Sequence, residues 1–88
     1  MSTYRVASGV LRAELEGKEV LLNTESGVYH LVNETGRIVL EDWELGLAVD
    51  EVVQDVARRS GVPEDRVSED TKKFVAALLE RGLIEEVS

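Results

Sequence analysis

Only one side chain in this sequence has an ordinary pKa near neutrality, His30. A Ser-His-Asp arrangement would need its imidazole within reach of a hydroxyl and a carboxylate. His30 instead alternates with Val28 and Val32, as a half-buried strand residue does. There is no Cys, so thiolate nucleophiles, disulfides and thiolate zinc sites are excluded. With one His and no oxygen-rich calcium loop, no metal site is expected. The adjacent carboxylates Glu41-Asp42, Asp50-Glu51, Glu64-Asp65 and Glu69-Asp70 fall in first turns or on wet helix faces, where they favour helix N-termini. Asp70 alone borders an apolar stripe. The seven glycines write neither a Walker loop nor a dinucleotide fingerprint. Neither catalysis nor a cofactor is expected.

At 88 residues the chain makes a single domain, 1–88, with an expected radius of gyration of roughly 12 Å. A domain this small spends its apolar residues on its own core and keeps little volume for an internal cavity. Its net charge of −8 repels phosphate backbones and draws basic peptides or basic protein patches. Nucleic acid is therefore not an expected partner. No secretory h-region and no membrane-spanning apolar run occurs, which points to a cytoplasmic chain without a membrane partner. Asn33-Glu34-Thr35 has the form of a glycosylation sequon, but it reads better as a turn entering a helix.

These residues need elements to hold them. Val10–Leu15 and Lys18–Asn23 carry strand-like sequences joined by a turn at Gly17-Lys18, and a third strand covers 28–32 after the turn-prone run Thr24-Glu25-Ser26-Gly27. Asn33 then offers a helix cap. Ile38, Val39 and Trp43 form the stripe of a first helix ending near Gly46. Val49, Val52, Val53 and Val56 mark a second helix, closed by Ser60-Gly61. Pro63 opens a third, whose stripe of Val67, Thr71, Phe74, Val75, Leu78 and Leu79 ends at Gly82, with Leu83-Ile84 as an apolar tail. The expected fold class is α+β and winged helix-turn-helix-like: a three-stranded antiparallel sheet followed by three helices.

One feature of that arrangement has binding capacity. A free sheet edge accepts an added strand, and a helix beside it can supply pockets for that strand's side chains. At 100° per residue, Asp70, Ala77 and Arg81 share one flank of the Phe74–Leu78 stripe, with Lys73 just beyond. Small Ala77 between charged neighbours suits a groove. The same residues would also serve as the boundary of a core helix.

The joint spacing of several short runs resembles the PqqD-like family, the recognition elements for ribosomally synthesised precursor peptides. The runs are 17–23 (Gly-Lys-Glu-Val-Leu-Leu-Asn), Gly27-Val28-Tyr29-His30, Asn33-Glu34-Thr35-Gly36 with Ile38, Asp50-Glu51-Val52-Val53, and Val67, Asp70, Phe74, Leu78-Leu79 and Arg81-Gly82-Leu83-Ile84. The likeness spans 16–87. It departs from the family where Val39 follows Ile38 in place of Trp, with Trp43 a turn later, and where Val32 replaces the usual Leu.

The resemblance implies a non-catalytic adaptor that binds the leader region of a precursor peptide as an extra strand on the third strand, beside the third helix. Backbone atoms of Val28, Tyr29, His30 and Leu31 would pair with the leader. Phe74, Ala77 and Leu78 would receive its apolar side chains, Asp70 a leader cation, and Lys73 and Arg81 its carbonyls or acidic groups. The discrete chain looks most like the stand-alone leader-binding proteins of lasso-peptide biosynthesis, which implies a separate cysteine-protease leader peptidase and a cyclase as partners. The protein itself would be a monomer or weak dimer. The alternatives are a peptide chaperone of pyrroloquinoline quinone biosynthesis and a structural dimerisation module using the same edge. A DNA-binding winged helix fits poorly, since 63–81 holds four basic residues against five acidic ones.

Overall fold

The computed structural model describes residues 3–87. The chain runs β1 (Thr3–Val6), β2 (Val10–Leu15), β3 (Lys18–Asn23), β4 (Tyr29–Val32), α1 (Glu34–Glu44), α2 (Val49–Ser60), α3 (Glu64–Glu80) and β5 (Ile84–Val87). β2, β3 and β4 form an antiparallel sheet in that order, so β3 is central and β4 lies at an edge. The strand expected third is thus the fourth. Two residues join β2 to β3, and both have positive φ: Glu16 at 53° and Gly17 at 81°. That handedness matches the twist of a tight hairpin, and it moves the turn one residue ahead of the expected Gly17-Lys18.

Two strands were not anticipated. The segment 83–84, expected as an apolar tail, leads into β5, which pairs antiparallel with β1 from Thr3↔Val87 to Val6↔Ile84. Neither four-residue strand has enough alternation to identify itself, and their partners lie about 80 positions apart in sequence. Val28 also falls outside the strand expected for it. It stays in the hairpin loop, where its carbonyl accepts from the Asn23 N–H at 2.9 Å.

Helix boundaries follow from local chemistry. Asn33 caps α1, its Oδ1 accepting from the Gly36 N–H at 2.8 Å, as its residue type suggests. At the start of α2 the Glu51 side chain reaches back to accept from the Ala48 N–H at 3.0 Å. α2 ends on Gly61 at φ 75°, a left-handed position that favours glycine. Pro63 stands just before α3, where its missing N–H costs no helix hydrogen bond.

α2 packs against both α1 and α3. The core joins Leu21 and Val32 of the sheet to Val39, Leu40 and Trp43 of α1, Val52 and Val56 of α2, Val67 and Leu78 of α3, and Leu83 and Ile84. Leu21, Val52, Val56, Leu78 and Leu83 retain no exposure. The radius of gyration is 12.5 Å, close to the value expected from length.

Candidate peptide-binding site

Among the described residues β4 pairs on one side only. Its register with β3 runs Leu22↔Tyr29, Leu21↔His30, Val20↔Leu31 and Glu19↔Val32. The Val28 carbonyl already points at β3, so by alternation His30 and Val32 direct their backbone groups to β3 as well. Tyr29 and Leu31 therefore turn their N–H and C=O groups to the open edge. A row of donors and acceptors with this period and no strand partner is what an extended peptide needs in order to add as a further strand.

An open cleft of about 340 Å³ lies beside that edge, between β4, the first turn of α1 and α3. His30, Asp70, Lys73, Phe74 and Ala77 line it, five of the residues expected to bind peptide. Phe74 is its apolar anchor. The ring stacks on Trp43 at a centroid separation of 6.2 Å and meets the edge of His30 at 5.8 Å. Trp43 in turn lies 5.2 Å from Tyr4, so an aromatic row runs from β1 through α1 and α3 to the open edge. Half-buried Ala77 leaves room on the α3 side. Asp70 and Lys73 are exposed on the cleft rim, and Lys73 pairs loosely with Glu69 at 3.8 Å.

Arg81 reaches the open edge from the end of α3. Its Nη1 donates to the Tyr29 carbonyl at 3.4 Å and to His30 Nδ1 at 2.8 Å. A guanidinium can only donate, so Nδ1 must hold a free lone pair and His30 must be neutral in this contact. Burial lowers the His30 pKa, and the nearby Arg81 charge lowers it further, which favours that neutral form. One edge carbonyl is thus already engaged by a flexible side chain that an incoming strand would share or displace.

Leu78 is corrected by this geometry. It has no exposed surface and belongs to the core under Phe74, so it supports the cleft without presenting a face to a peptide. Val28 lies beyond the end of the open strand, and Leu31 points its side chain to the opposite sheet face. Sequence reasoning missed Asn33, Thr35, Gly36, Val39 and Thr71, which also line the cleft. The first three follow β4 directly, and the capping signal at Asn33 marked the place where the chain must turn past the edge. Gly36 has a packing reason: a Cβ there would lie 3.1 Å from both Phe74 Cζ and Val32 Cγ1. Among the described residues no group of three or more His, Cys, Asp or Glu could hold a metal ion, and no helix is long and apolar enough to cross a membrane.

Comparison with known proteins agrees with this architecture. No curated protein sequence matches the chain. Two solved structures superpose over nearly all of it. One is described as TbiB1 in complex with the TbiA(beta) leader peptide, with a TM-score of 0.79, 25% identity, and coverage of 92% of this chain and 94% of that one. The other, lasso peptide synthetase B1 complexed with the leader peptide, has a TM-score of 0.83 and coverage of 93% and 96%; at 23% identity it speaks to the fold. The family model for coenzyme PQQ synthesis protein D (PqqD) matches residues 19–84, from the central strand β3 through the edge strand, the three helices and the first residue of β5, and by that match the chain belongs to the PqqD family.

Proposed function

We propose that this protein is a non-catalytic adaptor for the leader segment of a ribosomally synthesised precursor peptide, with the whole chain acting as one leader-binding domain. The observation that carries the reading is the open edge of β4, where Tyr29 and Leu31 turn their backbone groups outward beside a cleft that His30 lines and α3 walls. The leader adds as a strand along that edge. Its apolar side chains settle against Phe74 and Ala77, a leader cation meets Asp70, and Lys73 and Arg81 take its carbonyls or acidic groups. Holding the leader raises the local concentration of the precursor for a separate cysteine-protease leader peptidase and a cyclase.

The likeness to TbiB1, solved with a leader peptide, supports leader binding, and the lasso-peptide system is the reading that the resemblance of the sequence to stand-alone leader-binding proteins favours. The family description favours a second reading, a peptide chaperone in pyrroloquinoline quinone synthesis, which uses the same edge with a different precursor.

Calorimetric titration with the synthetic leader of the precursor encoded beside this chain tests the reading. Submicromolar one-to-one binding is expected. Ala77→Trp, which fills the cleft, should weaken it by about tenfold or more, and Asp70→Ala should weaken it less, in keeping with the small worth of an exposed charge pair. Absence of heat and of competition at micromolar leader would refute the adaptor and bring forward a dimerisation module that uses the same edge.

A further inference from the structure

Arg81 spends its charge on neutral atoms. Arg5, Arg12, Arg37, Arg58 and Arg59 each meet a carboxylate. Arg81 meets none among the described residues, although the chain has eighteen acidic side chains. Its backbone is fixed at the end of α3, where its N–H donates to the Ala77 carbonyl at 3.2 Å. The side chain then turns to the start of β4, and Nη1 divides its donors between the Tyr29 carbonyl and His30 Nδ1. Nη2 and Nε have no hydrogen-bond partner among the described residues. The free part of the guanidinium is thus a planar fork, which matches a carboxylate through two parallel bonds.

His30 aims that fork. An exposed arginine otherwise samples many rotamers. The imidazole has a fixed place of its own, opposite buried Leu21 on β3 and 5.8 Å from the Phe74 ring. Its Nδ1 contact at 2.8 Å is the shorter of the two that hold Arg81.

The charge of the ligand group follows from what strand addition does here. Tyr29 offers its carbonyl to the added strand, so the guanidinium on that carbonyl comes to lie against the peptide and loses water. Covering a cation beside neutral acceptors alone is costly, and an anion removes that cost. Asp70 lines the same cleft but lies about 16 Å of helix rise away from Arg81, too far to supply the anion. Resting on the leader-binding reading, we infer that Arg81 selects a leader with a carboxylate side chain where the added strand passes the start of β4, and that His30 is the positioning residue for its guanidinium.

A proton on His30 then changes the partnership. The charged or titratable groups around the imidazole are Arg81, Asp70 and Lys73 from α3 and its end, and Tyr29 beside it; Asn33, Thr35 and Leu21 face it without charge. Protonated His30 can no longer accept from Arg81 and becomes a second donor to the same carboxylate. Acid should therefore strengthen the preference for a carboxylate over its amide.

Calorimetric titration with the synthetic leader of the precursor encoded beside this chain, and with leaders in which each Asp or Glu is singly changed to Asn or Gln, tests the assignment. One such leader should bind wild type about tenfold more weakly, in keeping with a charge-assisted bidentate contact. Arg81→Gln should lose a similar factor with the native leader and almost nothing further with that amide leader, the coupling of a direct pair. Arg81→Lys should keep part of the preference, and circular dichroism with thermal melting verifies each fold. From pH 7.5 to 5.5 the preference of wild type for the carboxylate should widen severalfold, whereas in His30→Phe it should be smaller and flat. Wild type that binds leader with no carboxylate coupled to Arg81 would overturn the assignment and leave leader binding standing. A preference equally strong and equally pH-dependent in His30→Phe would overturn the role of His30. Failure of wild type to bind leader at all would remove the leader-binding reading itself and this assignment with it.

Discussion

Phe74 is the residue on which the cleft turns, because it touches the core through Trp43 and the open edge through His30. Its position depends on Gly36, whose missing side chain lets the first turn of α1 approach the ring. Gly36→Ala places a methyl group 3.1 Å from Phe74 Cζ, tighter than ordinary contact, so the ring must give way. Alanine also favours the helix by up to about 1 kcal/mol over glycine, which offsets part of the packing loss. The expected outcome is a small change in stability with leader affinity weakened by roughly tenfold, about 1.4 kcal/mol. Trp43 is the single Trp and stacks on Phe74, so its emission should shift in the variant without leader present. Unchanged emission and affinity would mean that the cleft does not depend on the placement of Phe74.

Between elements, the contact of α1 with α2 contains a carboxyl pair. Asp42 is buried, and its pKa rises to about 6, first from burial and then from the neighbouring Asp55. Protonated Asp42 donates to the Asp55 carboxylate, whose own pKa is lowered by that hydrogen bond and by Arg59 and Arg58. Because folding raises the Asp42 pKa above its unfolded value near 3.8, the native state binds more protons between those two values. The Asp42 contribution is therefore fully present below about pH 4 and is lost as pH rises through about 6. Asp55 acts in the opposite sense, contributing above its unfolded pKa and losing it as pH falls through its lowered folded value. Asp42→Asn keeps a donor to Asp55 and removes the buried charge. Urea melts at pH 8 should show the variant more stable than wild type by about 1–2 kcal/mol, with the gap closing by pH 5. Equal stability at both pH values would show that the pair holds no proton.

Over the whole molecule, β1 and β5 bring the two ends of the described chain together and close the aromatic row through Tyr4 and Trp43. β1 also anchors to the loop after α1, where the Thr3 hydroxyl donates to the Leu47 carbonyl at 2.9 Å. Removing residues 1–7 would strip β5 of its partner and uncover Ile84 and Trp43. A loss of about 2 kcal/mol corresponds to a thermal midpoint roughly 10 °C lower in a domain of this size. A red-shifted Trp43 emission should accompany it. An unaltered midpoint would show that the pair β1–β5 is peripheral to the fold.

Local signals were legible where neighbouring residues determine the outcome. Asn33 as cap, Gly61 as terminator, Pro63 ahead of α3, the valine stripe of α2 and the placement of Asp70 and Ala77 on one flank of the Phe74–Leu78 stripe all follow from short-range spacing. The absence of Cys and the net charge were read directly from composition. Tertiary structure alone decided the rest. β1 and β5 each stabilise the other across the length of the chain, so neither has a local signature. Leu78 and Phe74 share one stripe, and only the packing of α3 against the sheet makes one core and the other cleft wall. In β2 the sequence alternates, but alternation says only that two faces differ. That the leucines face solvent and Arg12 faces the helices follows from the register with β3, which sets Arg12 opposite buried Leu21, and only the completed fold brings Glu44 of α1 to that guanidinium.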